Sequence, residues 1–180
     1  MDLNGNFNIG DNPTRINGVI NDTRSQNYSG GARLSLTPVE WLTFYGNANF
    51  GFNYSQFSIS PNRNQAFTNN NYGGELTLKL PNDLYINTSM NYRINKNAQL
   101  DFDLRVPLWN ASVYHILGKA KKAEIRLTAV DMLNRNVAVT LNRGANYTQS
   151  ETIQTLVRYF TLGFSYNMRG VKAKMRREDY

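Results

Sequence analysis

Along much of the chain, hydrophobic and polar positions alternate with a period of two. From Leu42 the even positions read Leu42, Phe44, Gly46, Ala48, Phe50, Phe52 and Tyr54. The odd positions between them read Thr43, Tyr45, Asn47, Asn49, Gly51, Asn53 and Ser55. Successive strand side chains point to opposite faces, so this segment predicts a strand with one apolar and one uncharged polar face. The pattern returns over Leu3–Ile9, Ala32–Leu36, Leu76–Leu80, Leu84–Tyr92, Trp109–Leu117, Ala123–Ala129 and Phe160–Met168. Eight strands and no helix are expected.

The intervals between these strands alternate in length. Thr37–Glu40, Pro81–Asp83 and Gly118–Lys122 are short, whereas about 10–27, 60–73, 95–106 and 131–151 are long. Short turns at one end and long loops at the other are the signature of an outer-membrane barrel. The fold class expected is therefore all-β, an antiparallel transmembrane β-barrel. About eight strands fall in this chain, as a complete small barrel or a segment of a larger one. The strands occupy 1–168, and a basic tail without alternation occupies 169–180.

Composition supports that medium. The 26 asparagines fall largely on the polar parity, where a soluble strand would carry lysine and glutamate, and they suit a hydrated lumen. Aromatics gather near strand ends, at Trp41, Phe44, Tyr45, Tyr85, Tyr92, Trp109, Tyr159 and Tyr166, as in the interfacial girdles of membrane barrels. No unbroken apolar run exceeds three residues, which excludes a membrane-spanning helix. The segment after Met1 lacks the apolar core of a signal peptide, so none is expected. The net charge of +7 includes five basic and two acidic residues in the last twelve, the rest being scattered. No basic stripe for nucleic acid results. With no cysteine and His115 as the single histidine, no catalytic set or metal centre assembles, so neither an enzyme nor a cofactor is expected.

The strand Val106-Pro107-Leu108-Trp109-Asn110-Ala111-Ser112-Val113, the exit Val130-Asp131-Met132-Leu133-Asn134-Arg135-Asn136 and the strand Arg158-Tyr159-Phe160-Thr161-Leu162-Gly163-Phe164-Ser165-Tyr166-Asn167 carry a family likeness. Over about 105–168 the chain resembles the C-terminal part of TonB-dependent-receptor-like outer-membrane β-barrels of Gram-negative bacteria. The Leu36–Phe50 hairpin is similar less specifically. The resemblance implies location in the outer membrane, contact with its lipid, and uptake of a solute through a barrel of about 22 strands. It also implies an N-terminal plug, the TonB complex and the barrel-assembly machinery as partners. At 180 residues the chain is expected to be a C-terminal segment of such a transporter. Two alternatives remain open: a complete eight-strand barrel with a structural or adhesive role, and a soluble barrel with inverted faces binding a small apolar ligand.

Candidate side chains follow from parity. Tyr45, Asn47, Asn49, Asn53, Glu75, Lys79, Asn87, Arg93, Glu124 and Arg126 are expected to face the lumen. The charged ones, with Arg33, are expected to pair across strands, the alternative being that they set ion or solute preference. Asp101, Asp103, Asp131, Asn134 and Asn136 fall in the long intervals and are candidates for contacts at the extracellular mouth. Asp101 and Asp103 share a face if their segment is extended. Asp131 is also well placed to cap a short turn, with the asparagines satisfying loop backbone. His115 is expected at a strand end.

Overall fold

The computed structural model describes residues 1–118, 120–143, 148–153 and 157–168. Among the described residues ten strands follow one another: β1 Asp2–Ile16, β2 Val19–Val39, β3 Leu42–Phe57, β4 Gln65–Leu80, β5 Leu84–Asn97, β6 Phe102–Leu117, β7 Ala123–Val130, β8 Ala138–Arg143, β9 Thr148–Ile153 and β10 Tyr159–Tyr166. Eight form one antiparallel sheet in the order β1-β2-β3-β4-β5-β6-β7-β10. The remaining two, β8 and β9, pair with each other as a separate hairpin between β7 and β10. The expected all-β antiparallel architecture is present, with each sheet strand beside its predecessor.

The strands differ from expectation in length. Residues 10–27 form no loop: β1 and β2 stay in register up to Ile16 opposite Val19. Their connection is Asn17-Gly18, with φ of +50° and +83°. Positive φ at both central residues is the tight hairpin geometry that Asn-Gly adopts most readily. Residues 65–73 and 95–97 likewise belong to β4 and β5, and 102–106 to β6. The physical reason is that alternation marks a strand only while its faces meet different surroundings. On these extensions the outer face turns polar too, with Arg24, Gln26, Gln56, Lys96, Asp103 and Arg105, and the ladder continues unannounced. The fourth long interval carries β8 and β9, which were not expected either.

At the opposite end the turns are short. Glu40-Trp41 joins β2 to β3, after a register irregularity between Leu36 and Val39. Pro38, lacking an N–H, lies in that irregularity. Pro81–Asp83 forms a 3₁₀ turn with Asn82 and Asp83 at positive φ. Gly118, at φ +79°, starts the turn into β7.

One sheet in a single layer has no ordinary core. Among the described residues only Phe57 and Val106 are buried hydrophobic side chains. Leu3, Phe7, Phe50, Ile125, Leu127, Phe160, Leu162 and Phe164 are all exposed. So much contiguous apolar surface marks a face made for something other than water.

Candidate functional site: the two faces of the sheet

Paired residues of an antiparallel sheet share a face, so the register assigns every side chain. The row Ile86–Val113–Leu127–Leu162 crosses β5, β6, β7 and β10 on the outer face. Rings of Phe7, Tyr28 and Phe52 continue that face across β1–β3, with centroids 4.6 and 6.2 Å apart. Its few polar groups are paired locally. Trp109 Nε1 donates to Thr88 Oγ1 at 2.8 Å, and that hydroxyl donates to the Asn110 carbonyl at 3.2 Å. Hydrocarbon offers no substitute partner for an indole N–H, so local pairing is what a lipid-facing tryptophan needs.

The ten residues expected in the lumen all share the face opposite the apolar one, termed the inner face. Tyr45, Asn47, Asn49 and Asn53 on β3 share it with Glu75 and Lys79 on β4, Asn87 and Arg93 on β5, and Glu124 and Arg126 on β7. Charge pairing there runs differently from expectation. Arg126 Nε bonds Glu124 Oε1 at 2.7 Å along its own strand rather than across strands. Its guanidinium lies 4.0 Å from the Tyr114 ring centroid, and Tyr114 stacks on Tyr85 at 4.9 Å. Glu75 accepts from Asn87 Nδ2 at 2.7 Å, and the same nitrogen is 2.9 Å from Thr77 Oγ1.

Asparagines recur along this inner face: Asn4, Asn6 and Asn8 on β1, Asn27 on β2, β3's three, Asn69 and Asn71 on β4, and Asn87, Asn91, Asn95 and Asn97 on β5. Glycines open room for them. A Cβ on Gly31 would lie 2.6 Å from Asn4 Oδ1 and 2.8 Å from Asn49 Oδ1, and one on Gly73 would collide with the Asn47 amide. Asn53 donates to Asn27 Oδ1.

The mouth candidates separate. Asp101 sits at φ +50° in the turn before β6, so it does not share an extended segment with Asp103. Asp103 pairs with Lys96 in register, on the outer face, and makes ion pairs with Lys96 at 3.4 Å and Arg105 at 2.8 Å. Asp131 is 1% exposed and anchors a turn. Its Oδ1 and Oδ2 accept from the backbone N–H groups of Arg135 at 3.1 Å and Asn136 at 3.0 Å. Its own N–H donates to Asn110 Oδ1 at 2.9 Å. Asn134 Oδ1 accepts from the Arg158 N–H at 3.0 Å, tying the exit of β7 to the entry of β10. The Asp131 and Asn134 side chains are thus engaged with backbone of the turn and of the entry to β10. The tail 169–180 lies outside the described residues.

At the short-turn end His115 Nε2 lies 2.8 Å from the Asn82 carbonyl, and Lys121 Nζ bonds Asp83 Oδ1 at 2.8 Å. The Lys121 hydrogen bond holds the Asp83 carboxyl below its ordinary 3.8, and Asp83 raises Lys121 above 10.5. The depressed carboxylate favours the fold above its unfolded value and loses that contribution as pH falls through the folded one. The raised ammonium favours it below 10.5 and loses that contribution as pH rises through its folded value. The turn is therefore expected to hold between about pH 4 and pH 10. An NMR titration should give an Asp83 midpoint below 3.8 that rises in Lys121→Met.

An outer face dressed for hydrocarbon, a polar inner face and, in β1–β6, strands of 14 to 21 residues, longer than the roughly 9–11 a bilayer needs, describe a membrane barrel wall. Residues 4–166 match the Outer membrane protein beta-barrel family. The chain belongs to that family. It is an outer-membrane β-barrel protein, and the soluble barrel with inverted faces gives way to that finding. No curated protein and no solved structure matches the chain.

Several inner-face residues escaped sequence reading. Phe67, Asn97 and Phe102 fall in intervals expected to be loops, and only extension of the parity rule beyond the apolar band reveals them. They share one row, Asn27–Asn53–Phe67–Asn97–Phe102.

Proposed function

We propose that these strands form part of the wall of a TonB-dependent-receptor-like transporter, taking up a solute along the inner face. The observation that carries this reading is the open sheet. Every interior strand has two partners, whereas β1 and β10 are edges among the described residues. Their outer faces are strongly apolar, with Leu162 77% and Leu3 73% exposed. Unpaired backbone groups are intolerable in hydrocarbon, so both edges need strand partners. A larger barrel supplies them and leaves a water-filled interior for a plug. A closed barrel of eight strands would be filled by its own side chains and would pass nothing. The motifs of β6, β7 and β10 support the same reading. TonB, a plug and the assembly machinery are the partners it implies. It assigns no catalysis, since the single imidazole meets a turn carbonyl on the outer parity.

The test is cysteine pairing across the two edges in the intact outer membrane, with Asn4 or Asn6 on β1 combined with Thr161 or Ser165 on β10. No disulfide within the chain is expected in any combination. A disulfide in any register would establish a closed eight-strand barrel with a structural or adhesive role.

A further inference from the structure

The outer face of β4, β5 and β6 keeps its formal charges in one place. Of its positions only Lys96, Asp103 and Arg105 carry them. They fall in the first two rows past Tyr72–Tyr92–Pro107, namely Asn70–Ile94–Arg105 and Thr68–Lys96–Asp103. Leu84 to Tyr92 is about nine residues of strand, enough to cross a bilayer from the short-turn end. The tyrosine row therefore marks the outer interface, where membrane barrels carry aromatic side chains. Arg105, opposite Ile94, lies about 7 Å further along the strand, at the level of the outer-leaflet headgroups.

The three charged side chains form a unit. Arg105 bonds Asp103 through Nε at 3.0 Å and Nη2 at 2.8 Å, and Lys96 Nζ is 3.4 Å from the same carboxylate. Two cations against one anion leave an excess of positive charge, and both cations keep N–H donors that Asp103 does not use. Exposed pairs of this kind add little to stability, so the juxtaposition is not explained by holding the fold together.

We infer that Lys96 and Arg105 bind a headgroup phosphate of the phosphorylated glucosamine lipid of the outer leaflet. Charge-assisted bonds from a guanidinium fork and an ammonium suit phosphate oxygens. Directly below, Met90 and Trp109 share a row and are exposed, which gives the acyl chains of the same molecule an apolar surface. That continuity from cations to apolar face selects a lipid over a free anion. The site depends on the family and on the direction in which the strands cross, not on the transporter reading.

Native mass spectrometry of the full chain in detergent tests it, with bis-phosphorylated lipid A, dephosphorylated lipid A, phosphatidylglycerol and inorganic phosphate as probes. Bis-phosphorylated lipid A is expected to bind, and the other three at least tenfold more weakly. The double variant Lys96→Gln, Arg105→Gln should weaken lipid A binding about tenfold or more, and Lys96→Gln alone about threefold. Arg93→Gln, on the inner face of the same strand, should leave it unchanged. Asp103→Asn should hold or tighten binding, because the carboxylate competes with phosphate for the same donors. Equal binding of dephosphorylated lipid A, of phosphatidylglycerol or of inorganic phosphate overturns the assignment, as does affinity untouched in the double variant. Loss of binding in Asp103→Asn, or on chelation of divalent cations, would place a bridging metal there instead and overturns it too. None of these results bears on whether the edges close, which the cysteine pairs decide separately.

Discussion

Leu127→Arg is expected to destabilise the folded barrel by about 2–4 kcal/mol, the depth-dependent range for a cation near the bilayer midplane. Leu127 lies in the middle of β7, between Val113 and Leu162 in register, and is 51% exposed. On a water-facing surface such an exposed leucine could become arginine with a change within about 0.5 kcal/mol. The large effect therefore depends on lipid, not on lost packing. Thr128→Arg, one residue on, is the control. Thr128 lies between Ser112 and Thr161 on the inner face, where hydrated surroundings should keep the cost small. Urea unfolding in lipid vesicles measures both, and equal effects would mean the two faces meet the same medium.

That contrast between neighbouring residues is the part of the fold legible in sequence. Where lipid bounds one face and water the other, as over Leu42–Tyr54 and Ala123–Ala129, alternation marks strand, face and parity together. The inner-face positions of Tyr45, Glu75, Asn87 and Arg126 followed directly from it. Beyond the band, both faces meet water and selection for apolar side chains stops. Residues 10–16 and 19–27 therefore read as loop although they are continuous ladder. The outward parity of Asp103 and the inward parity of Phe102 and Asn97 were hidden for the same reason. Partner choice was hidden more deeply. Glu75 could have met a cation across the sheet, and only the register brings Asn87 to it instead.

The Asp131 turn carries the second large effect. Asp131→Ala is expected to cost about 2–4 kcal/mol, since it strands two backbone N–H groups that a buried carboxylate now accepts. It also places a Cβ without a compensating hydrogen bond at φ +52°. Asp131→Asn should cost about half as much, because an amide oxygen retains one acceptor and asparagine tolerates the left-handed region. The consequence should be local before it is global. The turn joins the end of β7 to β10 through Asn134 and Arg158, and β10 is an edge held by β7 alone among the described residues. Loosening it should expose the bond after Arg135 to trypsin while the β1–β6 ladders persist. Wild-type protection at Arg135 with rapid cleavage in Asp131→Ala is the expected result. Equal cleavage in both would show that the carboxylate does not hold the turn. In that case Asp131 would again be available as a contact at the extracellular mouth, the role its position after a strand first suggested.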